Sequence, residues 1–74
     1  MSTDEIMKKI IRGIKDGNYA NPSDIGLDGK EYSQVIEDLQ EEGYIKGAIV
    51  AQLGSGVILQ NATVTLKGRR FIEE

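Results

Sequence analysis

The chain has no cysteine, no histidine and no tryptophan, and only one proline and one phenylalanine in 74 residues. Without cysteine there is no disulfide to staple a small domain and no thiolate for nucleophilic or metal chemistry. Without histidine it lacks the side chain that titrates nearest neutrality, the usual general base and the commonest metal ligand. No hydrophobic run approaches the ~20 residues of a membrane span, and the N-terminus, MSTDEIMKKI, puts acids ahead of any apolar stretch. The expectation is a cytoplasmic protein with no signal peptide and no membrane contact. Asn61-Ala62-Thr63 matches a glycosylation acceptor, and without a secretory signal it reads as coincidence.

Positive charge is also short. Nine Lys and Arg face twelve Asp and Glu, a net charge of -3, whereas an indiscriminate phosphate binder draws its affinity from excess cations. The length is about half of the ~150 residues of a typical domain, so residues 1-74 make a single domain. Hydrophobic residues at 39% and charged residues at 28% fit a globular fold and not a disordered tail. The core has to come from aliphatic side chains and three tyrosines.

Those aliphatic residues are periodic. Ile6, Met7, Ile10, Ile11 and Ile14 share one helical stripe and predict a helix over 3-17, with Ser2 and Glu5 as its capping box and Gly17-Asn18 as its stop. In NPSDIGLDG, Asn21 can cap, Pro22 suits a first helical position and Gly26 ends a single turn that Ile25 and Leu27 anchor. Asp28 and Glu31 repeat the capping pattern and open a second helix over 29-42, with Tyr32, Val35, Ile36 and Leu39 inward and Gly43 as its stop. From Tyr44 the period becomes two. Ile45, Ile49 and Leu53 fall on one side, and Lys46, Ala48, Val50 and Gln52 on the other. Strands over 44-53 and 57-60 therefore form a hairpin about Gly54-Ser55-Gly56. A short extended stretch, Thr63-Val64-Thr65, leads to Thr65 as the cap of a last helix from residue 66.

Helix, short helix, helix, hairpin and helix in that order make an α+β winged helix. Two motifs sharpen the likeness. Leu39-Gln40-Glu41-Glu42-Gly43-Tyr44-Ile45-Lys46-Gly47 resembles the "L-x-x-x-G-Y-I-x-G" junction between the recognition-position helix and the first wing strand. Thr65-Leu66-Lys67-Gly68-Arg69-Arg70-Phe71-Ile72-Glu73-Glu74 resembles the "L-T-x-K-G-x-x-Y-L-E-E" helix that follows the wing in many bacterial winged-helix proteins. With Ser23-Asp24-Ile25-Gly26-Leu27 ahead of the second long helix, nearly the whole chain is similar to the YjcQ-like family, small winged-helix proteins of Firmicutes and their prophages. That resemblance implies a fold and a prophage or chromosomal origin but no defined activity.

By analogy with DNA-binding winged helices, the recognition-position surface is Lys30, Gln34, Glu37, Asp38 and Glu41, and Lys46 with the wing tip reaches the flanking backbone. The sequence departs from that pattern. Glu37, Asp38 and Glu41 would meet a polyanion with like charge, and residues 48-65 contain no Lys or Arg. A second candidate surface is the basic strip Lys8, Lys9 and Arg12, with Lys15 beside it, although Glu5-Lys9 and Arg12-Asp16 are spaced to neutralise one another. Arg69 and Glu73 have the same spacing. The third is the wing, where Val50 and Ile58 are assigned to the face opposite Ile49 and Leu59, leaving an uncharged apolar strip for a partner or a second copy unless the last helix folds over it.

Apparent chemistry dissolves on inspection. Glu37 and Glu41 lie one turn apart on a solvated face, and paired carboxylates act only where burial shifts them. The faint calcium loop from Asp24 has Gly26 at its third position and Val35 at its twelfth, so it lacks required ligands. Neither Gly54-Ser55-Gly56 nor Lys67-Gly68-Arg69 has the surroundings of a phosphate loop. The expectation is a non-enzymatic binding module without metal or cofactor. Its expected partner is protein, either itself or another chain, and the alternative is a DNA-binding transcriptional regulator disfavoured by the acidic helix face.

Overall fold

The computed structural model describes residues 3-51 and 56-73. Over them the chain forms α1 (Thr3–Asp16), a 3-10 turn (Pro22–Ile25), α2 (Gly29–Glu41), β1 (Ile45–Lys46), β2 (Ile49–Val50), β3 (Val57–Ile58), β4 (Thr63–Val64) and α3 (Leu66–Glu73). The expected Ser2 cap, the Gly54-Ser55 part of the hairpin turn, and Gln52 and Leu53 lie outside the described residues.

The long helices end where their glycines allow. At Gly17, φ is 75°, and the next amide, of Asn18, donates to the Gly13 carbonyl at 2.9 Å. At Gly43, φ is 81°; Tyr44 N–H donates to Leu39 O at 2.9 Å and Gly43 N–H to Gln40 O at 3.1 Å, the two bonds of a Schellman motif. Helix α2 begins with the expected capping box: Glu31 N–H donates to Asp28 Oδ1 at 2.7 Å, and Asp28 N–H to Glu31 Oε1 at 3.1 Å. The 3-10 turn corrects one expectation. Asn21 stands at its N-cap position, but its side-chain amide donates to the Asp24 carboxylate at 3.4 Å and caps no backbone amide.

Both helical stripes face one core. Ile10, Ile11, Ile36, Leu39 and Ile45 are fully enclosed, with Ile14, Ile25, Tyr32, Leu59, Ala62 and Ile72 around them. Ile6, Met7, Leu27 and Val35 pack against its margin. Leu66, at the start of α3, is 57% exposed.

The wing differs from the expected continuous strand over 44-53. Gly47 takes φ 85°, and a Cβ there would lie 2.5 Å from Asn61 O, so the chain bends where only glycine fits. Across the bend, Gln40 reaches from α2 and pairs with Ala48 as a strand would: its Nε2 donates to Ala48 O at 3.1 Å and its Oε1 accepts from Ala48 N–H at 3.0 Å. The ribbon therefore becomes two antiparallel pairs, β1 with β4 and β2 with β3. The bend also breaks the period-two alternation. Ile45 points inward, Ile49 is 55% exposed and Val50 packs toward the core, so the expectation that Ile45 and Ile49 share a face is overturned.

Helix α3 closes the fold from the far end of the chain. Thr65 Oγ1 accepts from Gly68 N–H at 3.1 Å, the expected cap, and its own proton faces the carbonyls of Gly43 and Tyr44. Thr65 N–H donates to Tyr44 O at 3.0 Å and Lys67 Nζ to Glu42 O at 2.7 Å. Tyr44 and Phe71 stack at 4.6 Å between centroids, with Lys67 above one ring and Lys8 above the other. The result is an α+β, winged-helix-like arrangement of three helices and two small antiparallel sheets.

Two substitutions check the packing. Leu39→Ala should cost about 2 to 5 kcal/mol because it hollows the core between α2 and β1. Gly68→Ala should cost roughly 3 kcal/mol, since its Cβ would overlap the Tyr44 carbonyl oxygen. Thermal denaturation reads both; a Gly68→Ala protein as stable as the parent would show that α3 is not seated on the α2–β1 corner.

Candidate functional site

The recognition-position surface on α2 is mostly open. Lys30, Gln34 and Glu41 are exposed and Glu37 and Asp38 half-buried. Gln34 Nε2 donates to Asp38 Oδ1 at 3.0 Å, so this glutamine is engaged one turn along its own helix. Acids dominate α2 and its flanks: Asp28, Glu31, Glu37, Asp38, Glu41 and Glu42 stand against the single cation Lys30.

The basic strip is partly committed to holding α3. Lys8 Nζ lies 5.3 Å above the Phe71 ring, and Arg12 Nη2 donates to Ile72 O at 3.1 Å. That carbonyl is in the last turn of α3, where a cation also complements the helix dipole. Lys9 is exposed. The pairs Arg12-Asp16 and Arg69-Glu73, expected from their spacing, are not formed among the described residues; Arg12 reaches across to α3 instead.

On the wing, Lys46 is exposed on β1. Val50 and Ile58 do not share a face. The register pairs Ile49 with Ile58 and Val50 with Val57; Val50 and Val57 pack against the core, whereas Ile49 and Ile58 are 55% and 52% exposed. Val50 therefore leaves the candidate contact surface and Ile49 enters it. Helix α3 lies against α1 and β4 and leaves this isoleucine pair uncovered. The missed signal was Gly47, an isolated glycine in a strand pattern, which marks a bend or a close backbone approach.

Beside the wing base, Tyr19, Pro22, Tyr32, Val57 and Leu59 line an open depression of about 290 Å³. Tyr32 is 6% exposed and its hydroxyl donates to Ala20 O at 3.1 Å. Burial raises its pKa above the ordinary 10.0. Every buried side-chain polar atom among the described residues has a partner. Among the same residues there is no cluster of three acidic or sulfur and imidazole ligands for a metal ion, and no helix is long and apolar enough to cross a membrane.

The raised Tyr32 pKa carries a pH dependence with a defined sign. Unfolded chains lose this proton near pH 10 while the folded protein keeps it, so the contribution is complete below pH 10 and disappears as pH rises through the folded value. Tyr32→Phe should cost roughly 1 kcal/mol at neutral pH through the lost hydrogen bond, and should flatten the alkaline fall in stability. Denaturant titrations across that range, with tyrosinate absorbance as the titration monitor, check both.

Comparison with protein-family models, with curated proteins and with solved structures finds no match to this chain.

Proposed function

We propose that the protein is a non-catalytic interaction module of bacterial or prophage origin, working in the cytoplasm and contacting protein through the outer face of its wing. The observation that carries this reading is the Ile49/Ile58 pair, two large aliphatic side chains opposite each other on a two-stranded ribbon and each more than half exposed. Sheet edges and faces that avoid other chains carry Lys, Pro or bulged residues. No Lys, Arg, Asp, Glu or Pro occurs from Ala48 to Gln60.

The partner the ribbon fits is a second copy of itself. A two-fold contact places the same patch on both molecules, and an uncharged isoleucine pair is self-complementary under that symmetry. The association is weak. Covering four half-exposed isoleucines contributes roughly 3 to 6 kcal/mol, much of it offset by the loss of rotational and translational freedom. DNA reading through α2 is opposed by the carboxylates of Glu37, Asp38 and Glu41 on that helix.

Sedimentation velocity over a wide concentration range tests the reading. The expected result is reversible dimerisation, lost in Ile49→Lys and Ile58→Lys with their circular dichroism unchanged, whereas Val50→Lys destabilises the fold by roughly 2 kcal/mol because its charge meets the core. A parent chain that stays monomeric throughout would overturn the wing contact. Sequence-selective duplex binding that survives physiological salt and is lost in Lys30→Ala would favour the regulator.

A further inference from the structure

Far from the wing, the fold joins two parts of the chain that the sequence keeps apart. Lys15, in the last turn of α1, and Arg69, in the first half of α3, stand at the rim of one open groove of about 420 Å³. Its floor is Ile14, Ala62 and Val64, and Thr63 completes the wall. Both cations are exposed, and neither is engaged by an acid among the described residues. Helices α1 and α3 together carry seven of the nine Lys and Arg residues against four acids, Asp4, Glu5, Asp16 and Glu73.

The backbone at the groove adds a second feature. Thr65 N–H bonds to Tyr44 O, and the register pairs Ile45 with Val64 and Lys46 with Thr63. In an antiparallel ladder, hydrogen-bonded and non-hydrogen-bonded pairs alternate. Thr65/Tyr44 and Thr63/Lys46 are therefore the bonded pairs, and the Val64 N–H and C=O point away from β1 along the outer edge of β4. That edge can receive another strand.

We infer that this groove is a docking site for an extended acidic peptide segment, with alternating aliphatic and carboxylate side chains, laid along the edge of β4. Its backbone pairs with Val64, its aliphatic side chains lie against the half-buried Val64 side chain, since Ile14 and Ala62 are already buried in the core, and its carboxylates meet Lys15 and Arg69. Charge complementarity selects acidic over neutral peptide, because the two cations converge without an internal counter-ion. The strand edge selects peptide over nucleic acid, which offers no peptide backbone to pair.

The test uses the whole chain and a blocked eight-residue peptide of alternating Val and Glu, titrated at physiological salt and followed by amide chemical shifts. The proposal expects the Lys15, Thr63, Val64 and Arg69 amides to move most and Val64 amide exchange to slow. It expects at least tenfold weaker binding of the Val/Gln peptide, and the same loss in Lys15→Gln/Arg69→Gln. Both substituted side chains are exposed, and an unchanged spectrum elsewhere confirms that the double variant is folded; if it is not, each single variant should show several-fold loss. Ile49→Lys should bind the peptide as the parent does, which separates this groove from the wing contact. Equal binding of the Val/Gln peptide, shifts mapping to another surface, or a DNA duplex that displaces the peptide from these residues would each overturn the proposal.

Discussion

The hydroxyl of Thr65 is the point on which the rest of the architecture turns. A helix ending at Glu41 leaves carbonyls without partners, and a helix beginning at Leu66 leaves amides without partners. Thr65 accepts from Gly68 N–H at the start of α3 while its proton is directed at the carbonyls of Gly43 and Tyr44, in the segment that leaves α2. Lys67 adds its ammonium to Glu42 O, and Gly68 permits the approach because a side chain there would collide with Tyr44 O. The start of α3 is thus tied to the chain leaving α2 at Glu42, Gly43 and Tyr44, and the stacked Tyr44 and Phe71 rings cover the joint.

From that corner the wing acquires its faces. Helix α2 is fixed, Gln40 projects from it to pair with Ala48, and Gly47 bends beneath the Asn61 carbonyl. One residue in a left-handed conformation shifts the alternation of everything after it. Val50 goes to the core, Ile49 goes to solvent beside Ile58, and a ribbon that would have buried one face continuously is split into two short pairs. The surface that the chain offers to a partner is a product of this bend.

Elements governed by local rules were legible in the amino-acid order. The apolar stripes of α1 and α2, the Asp28/Glu31 box, the glycine stops and the Thr65 cap all follow from contacts within a few residues, and all appear. What was not legible depends on pairs far apart in the chain. Gly47 bends because Asn61 sits over it; Arg12 leaves Asp16 because Ile72 O is within reach; β1 pairs with β4, which reads alone as a mere extended stretch. The same division holds for candidate sites. The α2 acids were readable from helical spacing, while the exposure of Ile49 and the meeting of Lys15 with Arg69 required the folded chain.

The dependence of α2 on α3 has a consequence for synthesis. Chains emerge N-terminus first, so α1 and α2 are complete while the carbonyls of Glu42, Gly43 and Tyr44 still lack the groups that will bond them. Strand β1 has no partner until Thr63 and Val64 follow. Sequence-distant pairings of this kind delay folding because a loop must close before its contacts stabilise it. A nascent chain halted before Thr63 therefore leaves β1 without its strand partner and the Glu42, Gly43 and Tyr44 carbonyls without theirs, and productive folding waits for residues 63-67.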